Sequence, residues 1–553
     1  LIFAYPNSKF KKIKIYLGVF LIIIFCFAYF AKIYLDSHPE NYQKMPLLVA
    51  NTIDRSLNMF EGPKSAESRI SIWKISLNAI KEKPILGWGP ENFIIAFDKY
   101  YNPSLPKIGE LEPEGYSREW FDRAHNFIFE ITVTAGIITL LIYFYFFGYL
   151  IWQLQKTKRK NPKISLICHG LQATFLAYFT TLLVSFDSVS TYIISFLLIG
   201  YSLYLIEQSN LISFKEEKKL DKISYKLYKL RYTIIIIILL ITLQFIYNYN
   251  LKPLYLNKEI NLALLYANSW QEKECEKALN IINKIHLLKS NGIIDNYLRQ
   301  KKASIIYRCL TKIKNEKSED LLRQNIQLLE KNIEKNPKHV LNFILAGEYI
   351  NILIKEKNKL TENIFIETEE NLKLKEQSDY FFKKALELSP KRQLILKDWA
   401  DTQTITGQYL KAEKNLEKCI NLNPFYCRCS WYMALNKGYQ KDYQEFEYYS
   451  KIAKENNCKI ESIESLQEVV NMYIRNNDYN GLIETYPKLI PITADPLEKA
   501  QLYASLATSY KEIEEMEKAR EQVLKILELI PSLPKNIQQK IEEDVKQFLK
   551  ILK

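Results

Sequence analysis

Glycine is scarce in this chain, with 15 among 553 residues, and alternation of apolar β-branched with polar residues is rare outside the long apolar runs. Both shortages argue against a sheet protein and predict an all-α fold. Histidine is rarer still, at 5. The 8 cysteines form no CxxC pair and no Cys/His spacing of the metal type, so neither a metal nor a cofactor is expected. Cys427 and Cys429 stand too close together for a familiar zinc site. The six cysteines beyond residue 270 read as small buried hydrophobes, with a disulfide open if that region is extracytoplasmic. The chain begins with Leu and lacks a charged-then-apolar signal with a small-residue cleavage site, so it reads as truncated, with upstream sequence missing.

What is present is unevenly divided. Apolar residues gather in the first 250 positions, in runs near the ~20 residues a bilayer span requires. Five spans are expected, over 13–35, 127–154, 167–186, 189–206 and 232–249. The net charge of +14 belongs largely to short segments beside these runs, which argues for topology and against a nucleic-acid partner. Lys9, Lys11, Lys12 and Lys14 precede the first span. Lys156, Lys158, Arg159, Lys160 and Lys163 follow the second, and a Lys-rich stretch from Lys215 to Arg231 follows the fourth. A single threading puts all three clusters in the cytoplasm. The loop 36–125 and everything after residue 249 are then extracytoplasmic. The expected organisation is a membrane domain over 1–250 and a second domain over 251–553.

The outside loop holds the candidate chemistry. The stretch ESRISIWKISLNAIKEKP carries Ile70, Trp73, Leu77 and Ile80 at helical spacing and stops at Pro84 and Gly87. Arg69 is expected in the first turn of this helix, and Trp73 is expected to pack it on the membrane domain. His125 falls at the amino end of the second span, where the helix dipole and free amides would keep an imidazole neutral and receive phosphate oxygens. Arg118 and Arg123 lie within seven residues of it, each beside an acid, Glu119 or Asp122, that favours a local salt bridge. Guanidinium groups match phosphate in bidentate fashion. A neutral histidine beside arginines at a bilayer surface suits an acceptor hydroxyl that loses its proton while attacking a sugar carbon, with a pyrophosphate leaving. Glu130 lies about 140 degrees around an ideal helix from His125, so it is not read as orienting the ring. Asp187 reads as a turn residue, and His38, His169, His286 and His339 belong to no constellation.

Taken in order, Arg69-x3-Trp73, then Pro84-Ile85-Leu86-Gly87-Trp88-Gly89, then His125-Asn126 heading a span that contains Gly136, resemble the core of the O-antigen ligase and polymerase family. The resemblance spans residues 50–205. It implies a C-type-glycosyltransferase-like membrane fold in the bacterial cytoplasmic membrane. It also implies metal-independent transfer of a glycan from an undecaprenyl-pyrophosphate carrier to an acceptor hydroxyl. His125 takes the place of the family's essential histidine and Arg69 that of its loop arginine. The family's other arginine belongs to an earlier membrane segment, absent here, which leaves the activity of this chain by itself open. The acceptor is also open: another glycan, a lipopolysaccharide core, or a protein hydroxyl as in an O-oligosaccharyltransferase.

Beyond residue 250 a period emerges. Leu-Ser-Pro390 and Leu-Asn-Pro424 are 34 residues apart, and Ala400 and Tyr409 recur as Ala434 and Tyr443. A further copy carries Ala507, Tyr510, Ala519 and Pro531, and a degenerate one ends at Pro337. The pattern resembles the tetratricopeptide repeat and predicts an α-solenoid able to bind a protein partner. The stretch 355–376, charged and poorly patterned, reads as an insertion. A non-catalytic membrane-anchored repeat scaffold and a lipid-linked-sugar transporter are the competing functions.

Overall fold

A computed structural model describes residues 63–104, 120–209, 235–268, 272–287, 295–310, 317–359, 365–533 and 535–552. The expected first span, the Lys-rich stretch from 215 to 231, and Arg118 lie outside the described residues. Among the described residues there is no strand. The chain divides into two compact units, one of Leu1–Tyr100 with Glu119–Tyr225, the other of Tyr101–Arg118 with Lys226–Lys553. It combines an all-α membrane domain with an α-solenoid. Among the described residues, three helices are long and apolar enough to cross a membrane: Phe127–Lys160, Ser190–Gln208 and Ile235–Ala267.

In the first unit, α1 (Pro63–Glu82) and the short α2 (Phe93–Lys99) precede α3 (Phe127–Lys160), α4 (Ser165–Leu182) and α5 (Val189–Gln208). The last three pack around Phe147, Leu150 and Leu154 of α3, Cys168, Leu171 and Phe175 of α4, and Leu205 and Ile206 of α5. The expected third span corresponds to α4, whose 18 residues include His169 and Gln172. Gln172 turns inward and donates to the Ile151 carbonyl at 3.0 Å. Ser188 begins α5 with a capping box completed by Thr191.

The buried face of α1 is only partly the one its pattern picks out. Trp73 and Ile80 are half-buried and Ile70 and Leu77 exposed, whereas Ile72, Ile75, Ser76 and Ala79 are buried. Two ladders at helical spacing share this helix, and the one with Ser76 and Ala79 allows the closer approach. Ser76 removes its own polarity by donating to the Ile72 carbonyl at 2.9 Å. Because α1 begins at Pro63, Arg69 lies in its second turn rather than its first.

The second unit opens with α6, a continuous helix from Ile235 to Ala267 that passes through a π turn at Tyr247–Leu251. The apolar run expected as the last span therefore continues without a break into Lys252–Ala267, which packs Ala263 and Ala267 against the next helix. Helices α7 (Glu272–Leu287), α8 (Asp295–Leu310), α9 (Lys317–Lys335), α10 (Val340–Lys359), α11 (Glu369–Leu388), α12 (Gln393–Ile405), α13 (Tyr409–Leu422), α14 (Cys427–Tyr439) and α15 (Tyr443–Glu455) follow. Then come α16 (Ile463–Asn476), α17 (Tyr479–Leu489), α18 (Pro496–Glu512), α19 (Met516–Leu529) and α20 (Lys535–Ile551). The 34-residue period appears in the matching starts of α12 and α14, and of α13 and α15. Ala400 and Ala412, fully buried, let these helices approach over Leu416 and Met433. Within the expected insertion at 355–376, the described residues include the end of α10 and the start of α11. Its charges join a local network, Lys357 and Arg323 both meeting Glu370.

The cysteines correct the reading of them as simple hydrophobes. Cys275 pairs with Cys309, Cys419 with Cys429, and Cys427 with Cys458, at Cα separations of 5.4, 5.9 and 5.6 Å. Cys427 and Cys429 thus fasten the start of α14 to the end of α13 on one side and to the segment after α15 on the other.

Candidate functional site

The site is built where a loop closes a gap in a helix. Gly136 breaks α3 with φ of 83°, which would leave carbonyls before it and an amide after it without partners. The Pro84–Gly89 segment supplies them. The amides of Trp88 and Gly89 donate to the Val133 and Thr134 carbonyls at 2.8 and 2.9 Å, and the Ile137 amide donates to the Pro84 carbonyl at 2.9 Å. The approach tolerates no side chain at either glycine: a Cβ at Gly136 would lie 1.8 Å from the Ile85 oxygen, and one at Gly87 2.6 Å from the Val133 oxygen. The six-residue motif and the glycine in the span are therefore two halves of one joint.

This joint fixes the end of α1 near the start of α3. Trp73 donates its indole N–H to the Ala124 carbonyl at 3.1 Å and stacks on Phe129 with ring centroids 5.8 Å apart. Trp88 likewise donates to the Ala79 carbonyl at 3.0 Å. Arg69 lies one turn before Trp73 on the same helix, near enough for its charge to act on the His125 ring.

His125 precedes the helix in left-handed backbone, with φ of 52°, a conformation more accessible to His than to most residues. Its half-buried ring lies edge-on between Phe121 and Phe186, at 6.1 and 5.1 Å. The imidazole is held below its ordinary 6.5, first by burial and then by the charge of Arg69, against an opposing pull from Asp122. The direction agrees with the sequence reading; the cause does not.

The helix terminus itself is already capped. Asn126 Oδ1 accepts from the amides of Ile128 and Phe129 at 2.9 and 3.3 Å. The expected free amides for phosphate are thus engaged, because Asn is among the best N-caps and stands at the position that needs one. Asn126 also donates to the Leu183 carbonyl at 2.9 Å, joining the site to the α4–α5 turn. In that turn Asp187 accepts from Tyr178 and Thr191, as befits a turn residue.

Arg123 is paired, but not with the neighbour the sequence suggested. It meets Glu91 at 2.7 Å and Glu130 at 3.4 Å. Glu130 reaches back one turn and accepts from the Ala124 amide at 2.7 Å. It therefore grips the main chain before His125 instead of the ring, consistent with its place on another face of the helix. Glu91 was missed: it follows the Gly-Trp-Gly-Pro turn with φ of 61°, and its partner is 32 residues away. Lys158, Arg159 and Lys160 occupy the far end of α3 from His125. Among the described residues no group of three or more His, Cys, Asp or Glu side chains comes together as a metal ligand set.

Comparison with known proteins bears on this region and on the repeats. Residues 1–144 match the family model described as O-antigen ligase. A curated Rickettsia conorii protein named "Putative polysaccharide ligase" is 33% identical over 128 residues, 22% of this chain and 27% of that protein. The chain thus matches about a quarter of that relative's length. Among solved structures, a tetratricopeptide repeat protein from Parabacteroides merdae aligns at 12% identity over 53% of this chain and 98% of its own, with a TM-score of 0.34. The pilF protein of Pseudomonas aeruginosa aligns at 14% identity over 45% and 99%, with a TM-score of 0.27.

Proposed function

We propose that this chain carries the loop half of a transfer centre that moves a glycan from an undecaprenyl-pyrophosphate carrier to an acceptor hydroxyl, at the outer face of the bacterial cytoplasmic membrane. The observation that carries the reading is a half-buried His125 between Phe121 and Phe186, with its pKa lowered first by burial and then by the charge of Arg69. The family match over residues 1–144 supports a glycan-transferring role.

In this mechanism an imidazole nitrogen of His125 takes the proton of the acceptor hydroxyl as its oxygen bonds to the anomeric carbon. The bond from that carbon to the phosphate oxygen breaks, and its electron pair leaves with the pyrophosphate. Arg69 meets the developing charge, which needs no proton donor because pyrophosphate is a stable anion. Arg118 and Arg123 are assigned to the same anion. Arg123 reaches it by exchanging Glu91, an exposed partner, for a more highly charged one. The acceptor is a glycan, a lipid-borne core or a protein hydroxyl.

Two features support the outside placement. Beyond the break at Gly136, the rest of α3 to Lys160 runs roughly 36 Å at ideal helical rise, enough for the ~30 Å of a hydrocarbon core, and Lys158, Arg159 and Lys160 suit a cytoplasmic end. The three disulfides of the repeat unit fit an oxidising compartment.

The test is gel analysis of surface glycan in cells expressing His125→Ala, with membrane abundance of the protein measured in parallel. Transfer is expected to be lost at normal abundance. Unchanged glycan in that strain, together with loss of function on deleting residues 251–553, would instead favour the scaffold reading.

A further inference from the structure

Residues 101–104 follow α2 directly but belong to the second unit. Their environment there is specific. Tyr101 is 4% exposed, and the Arg392 guanidinium lies over its ring at 4.1 Å. The Pro103 carbonyl accepts two hydrogen bonds, from Gln393 Nε2 at 2.7 Å and from Asn423 Nδ2 at 2.9 Å. Arg392, Gln393 and Asn423 are all buried. Asn102 closes a turn by accepting from the Ser104 amide at 3.1 Å. A carbonyl has two lone pairs, and here both are engaged by side-chain amides from different helices of one repeat.

The receiving surface is braced. Asn423 ends α13 and also accepts from the Phe425 amide at 3.1 Å. Disulfides from Cys419 to Cys429 and from Cys427 to Cys458 enclose this junction. Gln393 begins α12, and Arg392 is its N-cap.

We infer that the surface formed by Arg392, Gln393 and Asn423 is a receptor for the Tyr101–Ser104 segment of the same chain, which anchors that segment within the second unit. The ring over which Arg392 lies supplies selectivity, and the doubly held carbonyl supplies main-chain registration.

The variant that tests it is Gln393→Glu with Asn423→Asp. Both substitutions keep size, and Asn423→Asp keeps the oxygen that caps Phe425, but each turns a donor into an acceptor facing the Pro103 carbonyl. In membrane-reconstituted protein the amides of Tyr101, Asn102 and Ser104 are expected to exchange about tenfold faster in the double variant, with exchange in α12 and α13 unchanged. Tyr101→Ala should do the same, and Tyr101→Phe, which retains the ring, should not. A photo-crosslinker at Asn102 should mark peptides containing Gln393 or Asn423. Unchanged exchange, or crosslinks confined to other regions, would overturn the receptor. Because exchange and crosslinking do not depend on transfer, a failure of the His125 assignment would leave these results standing.

Discussion

The indole of Trp73 donates to the carbonyl of Ala124, the residue before His125, across 51 positions of chain. Through this bond the helix bearing Arg69 and the residue leading into the capped start of α3 are set against each other. Trp73→Phe keeps a ring to stack on Phe129 but removes the donor. A net contribution of about 0.5–1.5 kcal/mol for such a bond predicts a roughly twofold to tenfold loss of transfer at normal protein abundance, read from the amount of surface glycan formed per molecule.

The acid side of the pH profile should report His125. Its folded value lies below 6.5, so the base remains unprotonated as pH falls through that point, and the acid limb should appear below it. Burial is the larger cause and Arg69 the second. In Arg69→Gln, removal of the positive charge makes the imidazolium easier to form, so the limb should move to higher pH. Transfer rates in reconstituted membranes across pH measure both, and a limb unmoved by Arg69→Gln would separate the two residues.

Glycine 136 should be intolerant where glycine 148 is not. An added methyl at Gly136 meets the Ile85 oxygen and requires unfavourable backbone, while one at Gly148 meets nothing within 4 Å. Gly136→Ala is expected to cost about 2 kcal/mol or more, seen as a lower melting point in detergent, with Gly148→Ala near the parent.

Glu130 should act through its oxygens rather than its charge on the ring. Glu130→Gln retains an acceptor for the Ala124 amide and should preserve most transfer. Glu130→Ala removes both that acceptor and the partner of Arg123, and should lower transfer roughly tenfold on the scale of a buried hydrogen bond lost. The comparison is made on the same glycan gels.

The paired cysteines predict a labelling pattern. In denatured, non-reduced protein Cys275, Cys309, Cys419, Cys427, Cys429 and Cys458 should resist maleimide, while Cys168, the free cysteine among the described residues, should react. Reduction should open all six and lower stability by about 2–4 kcal/mol for each bridge, measured by thermal unfolding of the repeat unit in the intact protein.

What could be read directly from the sequence was whatever depends on local order. The 34-residue spacing of Pro390 and Pro424 predicts helix pairs because a proline past a helix's first turn removes a backbone hydrogen bond and disfavours its continuation. The apolar run from 127 predicts α3, and Asn126 and Gly136 stand in the string of residues where their conformations are needed. Where local order offered two solutions, the reading was partial: the ladder of Ile70 and Leu77 competes with that of Ile72 and Ile75 at the same period. The charges of 355–376 show no pattern in the sequence because their partners Glu319 and Arg323 lie far away in the chain.

By itself, then, the sequence determined most of the helices and the presence of His125 at the head of an apolar helix, since each follows from neighbours within a turn or two of chain. Only the tertiary structure decided that the charge of Arg69 acts on His125, that Arg123 belongs to Glu91 and Glu130, that six cysteines pair, and that Pro103 is held by Gln393 and Asn423. Those relationships join groups between 7 and 320 positions apart, and no local preference encodes a distance that arises only when helices pack.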